Sequence, residues 1–482
     1  MKKKNIFQNQ SQEILTLFED AKDRAKVMCI PMDYAKKDHL VMFCNGNGKI
    51  IRKPFSIKNS LEGKNYLTDQ VRKSCHHHGI NLKHTFFGGE DCGSYVDNFI
   101  TALRLDNWLV AGVNARDAKT YRDNMQASTD LLDLSGICKM LLSCKGNCSP
   151  AQSGIYLNLR LLVRQRRQFV KMRTEVKNRI YTLVDRIFPG FLDEKKSGII
   201  PFSKASLFLM EDRFSVHEIQ RRQRPALVRL LYRFGMHNPE RSADKLSHLV
   251  RHVLKPPENA INTLQISLTH EIGLFKCLQK NIKRLENNIA QNLAQTQGAF
   301  LTSIKGIGII LAAGVSAEIG NPDKQKSLSN LVSYAGIVPR IKQTGGIQGK
   351  VYVKKVGKRC NRILKDYLVQ SACHIGKHGP EDLMLDHKKR DTQGQHADFG
   401  IARRYLRMAM CLMKTSQTYL PEMLRNKNID KNQRAEYYLG TWSILYKKWS
   451  QTKALKIAFD KNNPLGKWSN MIQEIYGIKF KI

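Results

Sequence analysis

Acidic residues are scarce in this 482-residue chain: 41 Asp and Glu stand against 80 Lys and Arg, a net charge of +39. A surface that basic repels itself unless a polyanion meets it, so nucleic acid is the leading partner class, ahead of an anionic membrane surface. Long apolar runs are also missing. None reaches the roughly 18 residues of a membrane-spanning helix, which excludes a spanning segment and leaves no membrane partner. The start, Met1-Lys-Lys-Lys-Asn5, leads into polar Gln8-Asn-Gln-Ser-Gln12 with no apolar signal core, so the chain is expected to stay in the cytoplasm. The eleven cysteines are scattered, which fits reduced thiols and excludes a disulfide framework. Paired C-x2-C spacing is absent too. Cys75-His76-His77-His78 and Cys144-Lys-Gly-Asn-Cys148 therefore read as a polar helix end and a loop rather than as zinc sites.

What the chain does have falls into blocks. After a basic, polar leader (1–26), residues 27–55 read as strand, turn and strand, with Asn45-Gly-Asn-Gly48 as a turn. A helix is predicted over about 60–78. A short strand at Thr85-Phe-Phe87 runs into Gly88-Gly89-Glu90. A helix near 94–105 and a strand at 108–113 follow. Strands alternating with helices imply an α/β sheet domain over 27–150. From 151 to 298 the pattern turns helical. Ile155, Leu162, Phe169, Val176 and Leu183 recur every seven residues, and Leu264, Leu268, Phe275, Leu278, Ile282, Leu285 and Ile289 recur mostly every three or four. Two long helices with facing seams suggest an antiparallel coiled-coil arm, with a more irregular basic insertion near 190–255. Such an arm suits self-association or a grip on nucleic acid.

The region 299–424 opens on Ile304-Lys305-Gly306-Ile307-Gly308, which resembles a helix-hairpin-helix turn, a sequence-independent phosphate site built from backbone N–H groups. Lys305, Gly306 and Gly308 are its candidate contacts. The basic run with Lys350, Lys354, Lys355, Lys358, Arg359 and Arg362, and then Arg403 and Arg404 on a second basic helix, are further candidates for phosphate. The tail 425–482 mixes Lys with Tyr437, Tyr438, Trp442, Tyr446, Trp449 and Trp468. That mixture suits stacking on RNA, or an amphipathic surface packed on a core.

Four acids carry the chemistry. Asp33 follows the first strand and Glu90 a later one, while Asp130 and Asp133 share one face of the next helix. Carboxylates so placed repel one another unless cations neutralise them. Mg²⁺, or Mn²⁺, would do so and would clamp the attacking and leaving oxygens of a phosphodiester.

At these residues the chain resembles the DEDD recombinases of the IS110 insertion-sequence family, including its IS1111 branch and the related pilin-gene invertases. Met32-Asp33-Tyr34 is similar to the first family motif, Gly89-Glu90-Asp91 to the second, and Ser128-Thr-Asp130-Leu-Leu-Asp133 to the third, without the usual Lys before its first Asp. The likeness continues through Ile304-Lys-Gly-Ile-Gly308, Tyr334-Ala-Gly-Ile-Val-Pro339 and Lys355-Val-Gly-Lys-Arg-Cys-Asn-Arg362. It implies an α/β plus α architecture: a RuvC-like, RNase H-fold N-terminal domain, a long coiled-coil helical arm, and a mainly helical C-terminal transposase domain. It further implies a bacterial DNA transposase, site-specific and homo-oligomeric. Such an enzyme handles donor and target DNA, is guided by a bridge RNA, and cleaves through a nucleophilic serine. Here that serine's position holds Thr344, before Gly345-Gly346, and no serine occurs between Ser333 and Ser371. The same acids would also serve a junction-resolvase-like nuclease that needs no hydroxyl. A transposase descendant that only binds nucleic acid is the remaining alternative.

Overall fold

A computed structural model describes residues 10–90, 95–123, 129–148, 154–211, 214–324, 327–338, 340–343, 351–354, 360–384, 395–421, 424 and 429–480. The chain forms two units, Met1–Ala151 and Gln152–Ile482.

In the first unit the organising strand is β1, Met28–Asp33, buried along its length up to Asp33. Near-continuous apolar sequence of this kind marks a central strand covered on both faces. It pairs antiparallel with β2 (Asp38–Asn45), which pairs antiparallel with β3 (Ile50–Lys58). On its other side β1 runs parallel to β4 (Thr85–Glu90), and β4 parallel to β5 (Leu109–Val113). The resulting sheet has the order β3-β2-β1-β4-β5. Alternation splits each central strand between two layers. Met28, Ile30, Met32 and Phe87 pack with Leu67, Val71 and Cys75 of α2 (Leu61–His78) and with Phe99 and Leu103 of α3 (Asp97–Leu105). Cys29, Cys44 and Phe86 pack instead with Ile14 and Leu17 of α1 (Gln12–Ala21) and with Leu134, Ile137 and Leu141 of α5 (Asp130–Leu142). A short helix, α4 (Ala115–Lys119), precedes α5. This is an RNase H-like arrangement: a mixed five-stranded sheet with helices on both faces.

The second unit is helical apart from a hairpin of β6 (Arg340–Gln343) and β7 (Val351–Lys354). Its longest helices are α6 (Gly154–Ile187) and α12 (Glu258–Ala294). They lie antiparallel, stitched by Arg166–Glu286 at 2.6 Å and Arg179–Glu271 at 2.8 Å. The buried seam of α6 runs through Tyr156, Leu159, Val163, Val176, Ile180, Val184 and Ile187. Of the expected seven-residue positions only Val176 is fully buried, whereas Ile155, Leu162, Phe169 and Leu183 flank the cores. The seam lies about one residue further on: Tyr156, Val163 and Val184 are buried beside Ile155, Leu162 and Leu183.

Between the two long helices lie α7 (Glu194–Ser197), α8 (Lys204–Glu211), α9 (Val216–Arg221), α10 (Arg224–Arg233) and α11 (Pro239–His252). They share a core with the end of α6 and the start of α12, centred on Phe188, Phe191, Phe214 and Phe275. A second core joins the start of α6 and the end of α12 to α13 (Ile309–Ile319), α14 (Leu328–Tyr334), α15 (Arg362–His378) and α16 (Gln395–Thr415). It also takes in α17 (Lys431–Trp449), α18 (Leu455–Ala458) and α19 (Pro464–Tyr476). The tail aromatics belong to it: Trp442, Trp449 and Trp468 are buried. The structure therefore chooses core packing over base stacking for those three rings.

Candidate functional site

Asp33 and Glu90 are the last residues of β1 and β4, and the parallel register that pairs Met32 with Gly89 brings the two strand ends side by side. Gly89 makes the close approach possible. A Cβ there would stand 2.4 Å from the Met32 carbonyl and 2.3 Å from the Tyr34 ring. Asp130 and Asp133 lie in the first turn of α5, which packs along β1. The Thr129 hydroxyl accepts from the Leu132 N–H and fixes where that turn begins. Acids in a first turn also face the positive end of the helix.

Electrostatically the four are one group. Burial, then the nearby Asp130 carboxylate, push the Asp33 pKa up, and Arg122 opposes them. Burial, then Asp33, push Glu90 up, again against Arg122. The Arg122 guanidinium forms an ion pair with Asp133, and its side chain is only 8% exposed. It reaches that place because α5 carries Gly136 where the Arg122 side chain and the Ala118 carbonyl pass. Sequence reasoning missed Arg122; a lone basic residue after a short helix gives no signal.

The donors suit a hard divalent cation, being carboxylate oxygens throughout. Glu90 Oε1 is buried with no hydrogen-bond partner among the described residues, the mark of an acceptor held for a ligand. Among the described residues, no three of these acids bring oxygens within 4.8 Å of one another. Arg122 supplies positive charge beside these carboxylates. The group that does converge so closely is Cys29, Cys44 and Cys138, buried on β1, β2 and α5, with the Cys44 and Cys138 sulfurs 3.0 Å apart. Neither Cys75–His78 nor Cys144–Cys148 forms such a group among the described residues.

In the second unit Ile304–Gly308 is a tight bend: Gly306 has φ +91°, and Gly308 caps α13 with no side-chain bond. Lys305 and Gly308 are exposed. Arg362 is exposed at the start of α15 and lines a cavity of about 380 Å³ with Arg167, Lys365, Asp366, Asp398 and Phe399. Asn361, just before it, caps α15 through Ile363 and Leu364. Its Nδ2 donates to the buried Glu318 carboxylate at 2.8 Å. Burial would raise the Glu318 pKa, but bonds from Arg164 and Asn361 hold it below the usual range. That buried pair anchors the end of the basic run. Arg403 and Arg404 are half-buried and donate to the Phe399 and Asp382 carbonyls at 3.3 and 2.5 Å. Lys354 lies in β7. Thr344, Lys350, Lys355, Lys358 and Arg359 lie outside the described residues.

Residues 30–189 match the IS110-type DEDD transposase model, and residues 298–383 match a model described as transposase IS116/IS110/IS902 family. The chain belongs to the IS110 family of transposases. It is a DEDD-class DNA transposase, an enzyme that binds DNA and belongs to a class that uses divalent metal. No curated protein matches it. All four acids of this IS110 transposase fall inside the first match, and Lys305 through Arg362, with Thr344, inside the second. Most of the helical insertion, Arg403, Arg404 and the tail fall outside both. No helix among the described residues is long and apolar enough to cross a membrane.

Proposed function

We propose that this transposase cleaves and rejoins DNA strands at sites chosen by a bridge RNA, using the acidic cluster and a threonine hydroxyl, and that it works as a homo-oligomer. The observation that carries the reading is the shared edge: Asp33 and Glu90 end neighbouring parallel strands, and Asp130 and Asp133 open the helix laid along β1. Mg²⁺ or Mn²⁺ bound by these carboxylates would stabilise charge on the oxygens of the reacting phosphate. The protein's own part is to position and to exchange. Thr344 Oγ1 bonds to phosphorus, its proton passes to a base, and the deoxyribose oxygen of the broken linkage leaves with a proton. Rejoining reverses these steps with the hydroxyl of the new strand. The exposed hairpin at Lys305–Gly308 and the basic run ending at Arg362 supply sequence-independent contacts to phosphate. A charge of +39 fits a protein that carries two polyanions, DNA and guide RNA.

The test is a denaturing gel of end-labelled DNA after reaction with guide RNA present. The unaltered chain should yield a protein–DNA adduct. Thr344→Ala should lose it while still binding DNA, Thr344→Ser should keep or raise it, and Asp33→Asn should abolish strand exchange. An adduct that persists in Thr344→Ala moves the nucleophile elsewhere. Threonine at a family serine position also favours a second reading, hydrolysis by water at the acidic edge. On that reading Thr344→Ala still cuts, and no adduct forms in either protein. If the unaltered chain neither cuts nor forms an adduct, and Asp33→Asn and Thr344→Ala bind DNA as it does, the chain acts by binding alone.

A further inference from the structure

Lys448 lies near the end of α17, far along the chain from the hairpin turn, in the basic, aromatic tail whose sequence suits stacking on RNA or packing on a core. Its Nζ instead enters the turn. It donates to the Thr302, Ile304 and Ile307 carbonyls at 2.6, 2.8 and 2.8 Å. An ammonium has three protons, and all three are used. No carboxylate forms an ion pair with it among the described residues; its partners are neutral carbonyls alone. Three carbonyls curled about one point would repel each other without a cation. Such a ring of oxygens is also what replaces the hydration shell of potassium in a selective site. The neighbouring Trp449 indole donates to Thr302 Oγ1 at 3.1 Å and seats α17 against the turn.

We infer that the Lys448 ammonium fills a monovalent-cation cage inside the hairpin, in place of a potassium ion, and so aims the turn's amides outward. The aiming follows from peptide geometry. In a planar trans peptide the C=O and N–H point in opposite directions. Turning the Ile304 and Ile307 carbonyls inward therefore turns the Lys305 and Gly308 N–H groups outward, on residues that are exposed. Space beyond Gly308 is open: a Cβ built there meets nothing within 4 Å. Gly306, at φ +91°, supplies the bend between them. Burial pushes the Lys448 pKa down to about 8, which still leaves the ammonium as the main form at neutral pH. The role given to the outward amides rests on the phosphate-binding reading of the hairpin above; the cage itself does not.

The experiment compares the full-length chain with Lys448→Ala in potassium chloride and in tetramethylammonium chloride at equal concentration. Thermal melting and binding to a duplex DNA of arbitrary sequence are both read. Potassium fits the vacated cage and tetramethylammonium does not. Lys448→Ala should melt lower and bind roughly tenfold more weakly in tetramethylammonium. Potassium should recover both, while the unaltered chain shows the same melting point in either salt. A Lys448→Ala melting point indifferent to potassium would overturn the cage. If potassium restores melting but DNA affinity never fell, the cage stands and the phosphate role of the hairpin falls. Should Lys448→Ala not fold in either salt, the unaltered chain decides. One lysine ¹⁵Nζ resonance should persist with slow proton exchange at neutral pH, and its absence overturns the cage equally.

Discussion

Asp33 and Glu90 are held against their own repulsion, and that has a measurable sign. Both carboxyls have folded-state pKa values raised above their ordinary ones, by burial first and by a neighbouring carboxylate second. A raised carboxyl favours the folded state below its unfolded pKa, and that favour is lost as pH rises through the folded value. Without divalent metal at neutral pH, Asp33→Asn should therefore melt a few degrees higher than the unaltered chain. The gap should close as pH falls into the carboxylate range. Added Mg²⁺ should raise the melting point of the unaltered chain and not that of Asp33→Asn, because only the former has the ligand set to bind it. A neutral variant that melts no higher in EDTA would show that the acids do not strain each other. Arg122 sits on the same balance: it lowers the repulsion that a bound cation would otherwise have to remove.

Among the elements, the strand ends were legible and the long-range partners were not. A strand that stays apolar until a single acid, as at Met28–Asp33 and again before Glu90, announces both its buried course and its catalytic edge. The long helices were equally plain from their periodic apolar residues, although the seam of α6 lies about a residue on from the seven-residue series. Arg122, the Cys29–Cys44–Cys138 cluster and Lys448 could not be read, because each owes its place to residues far away in sequence. Burial also changes which substitution can test association. Phe275 is 1% exposed in a core within the same chain, so charge placed there unfolds rather than dissociates. The outward stripe of α12 offers Ile266 at 61% and Leu274 at 41% exposure. If the arm joins copies, Ile266→Lys with Leu274→Lys should lower the sedimenting mass at an unchanged melting point. Equal mass in both proteins would place the oligomer interface off this face.

For the molecule as a whole, charge predicts a steep salt dependence of nucleic-acid binding. Replacing Lys354, Lys355, Arg359 and Arg362 with Ala should lower the slope of log K against log salt by about one for each phosphate-binding side chain removed. Arg403→Ala and Arg404→Ala should act differently. Their guanidinium groups hold backbone carbonyls, so they should lower melting before they lower the slope. An unchanged slope after the first four substitutions would put the phosphate-binding surface elsewhere. The cage in the hairpin also sets a clock. Lys448 is made 141 residues after Ile307, about 7 to 28 s later at a translation rate of roughly 5–20 residues per second. Through that interval the nascent chain already carries its acidic edge, while the cage in its hairpin must draw its cation from dissolved potassium. A product released before codon 448 is thus born with the blade and with a handle set by the surrounding salt.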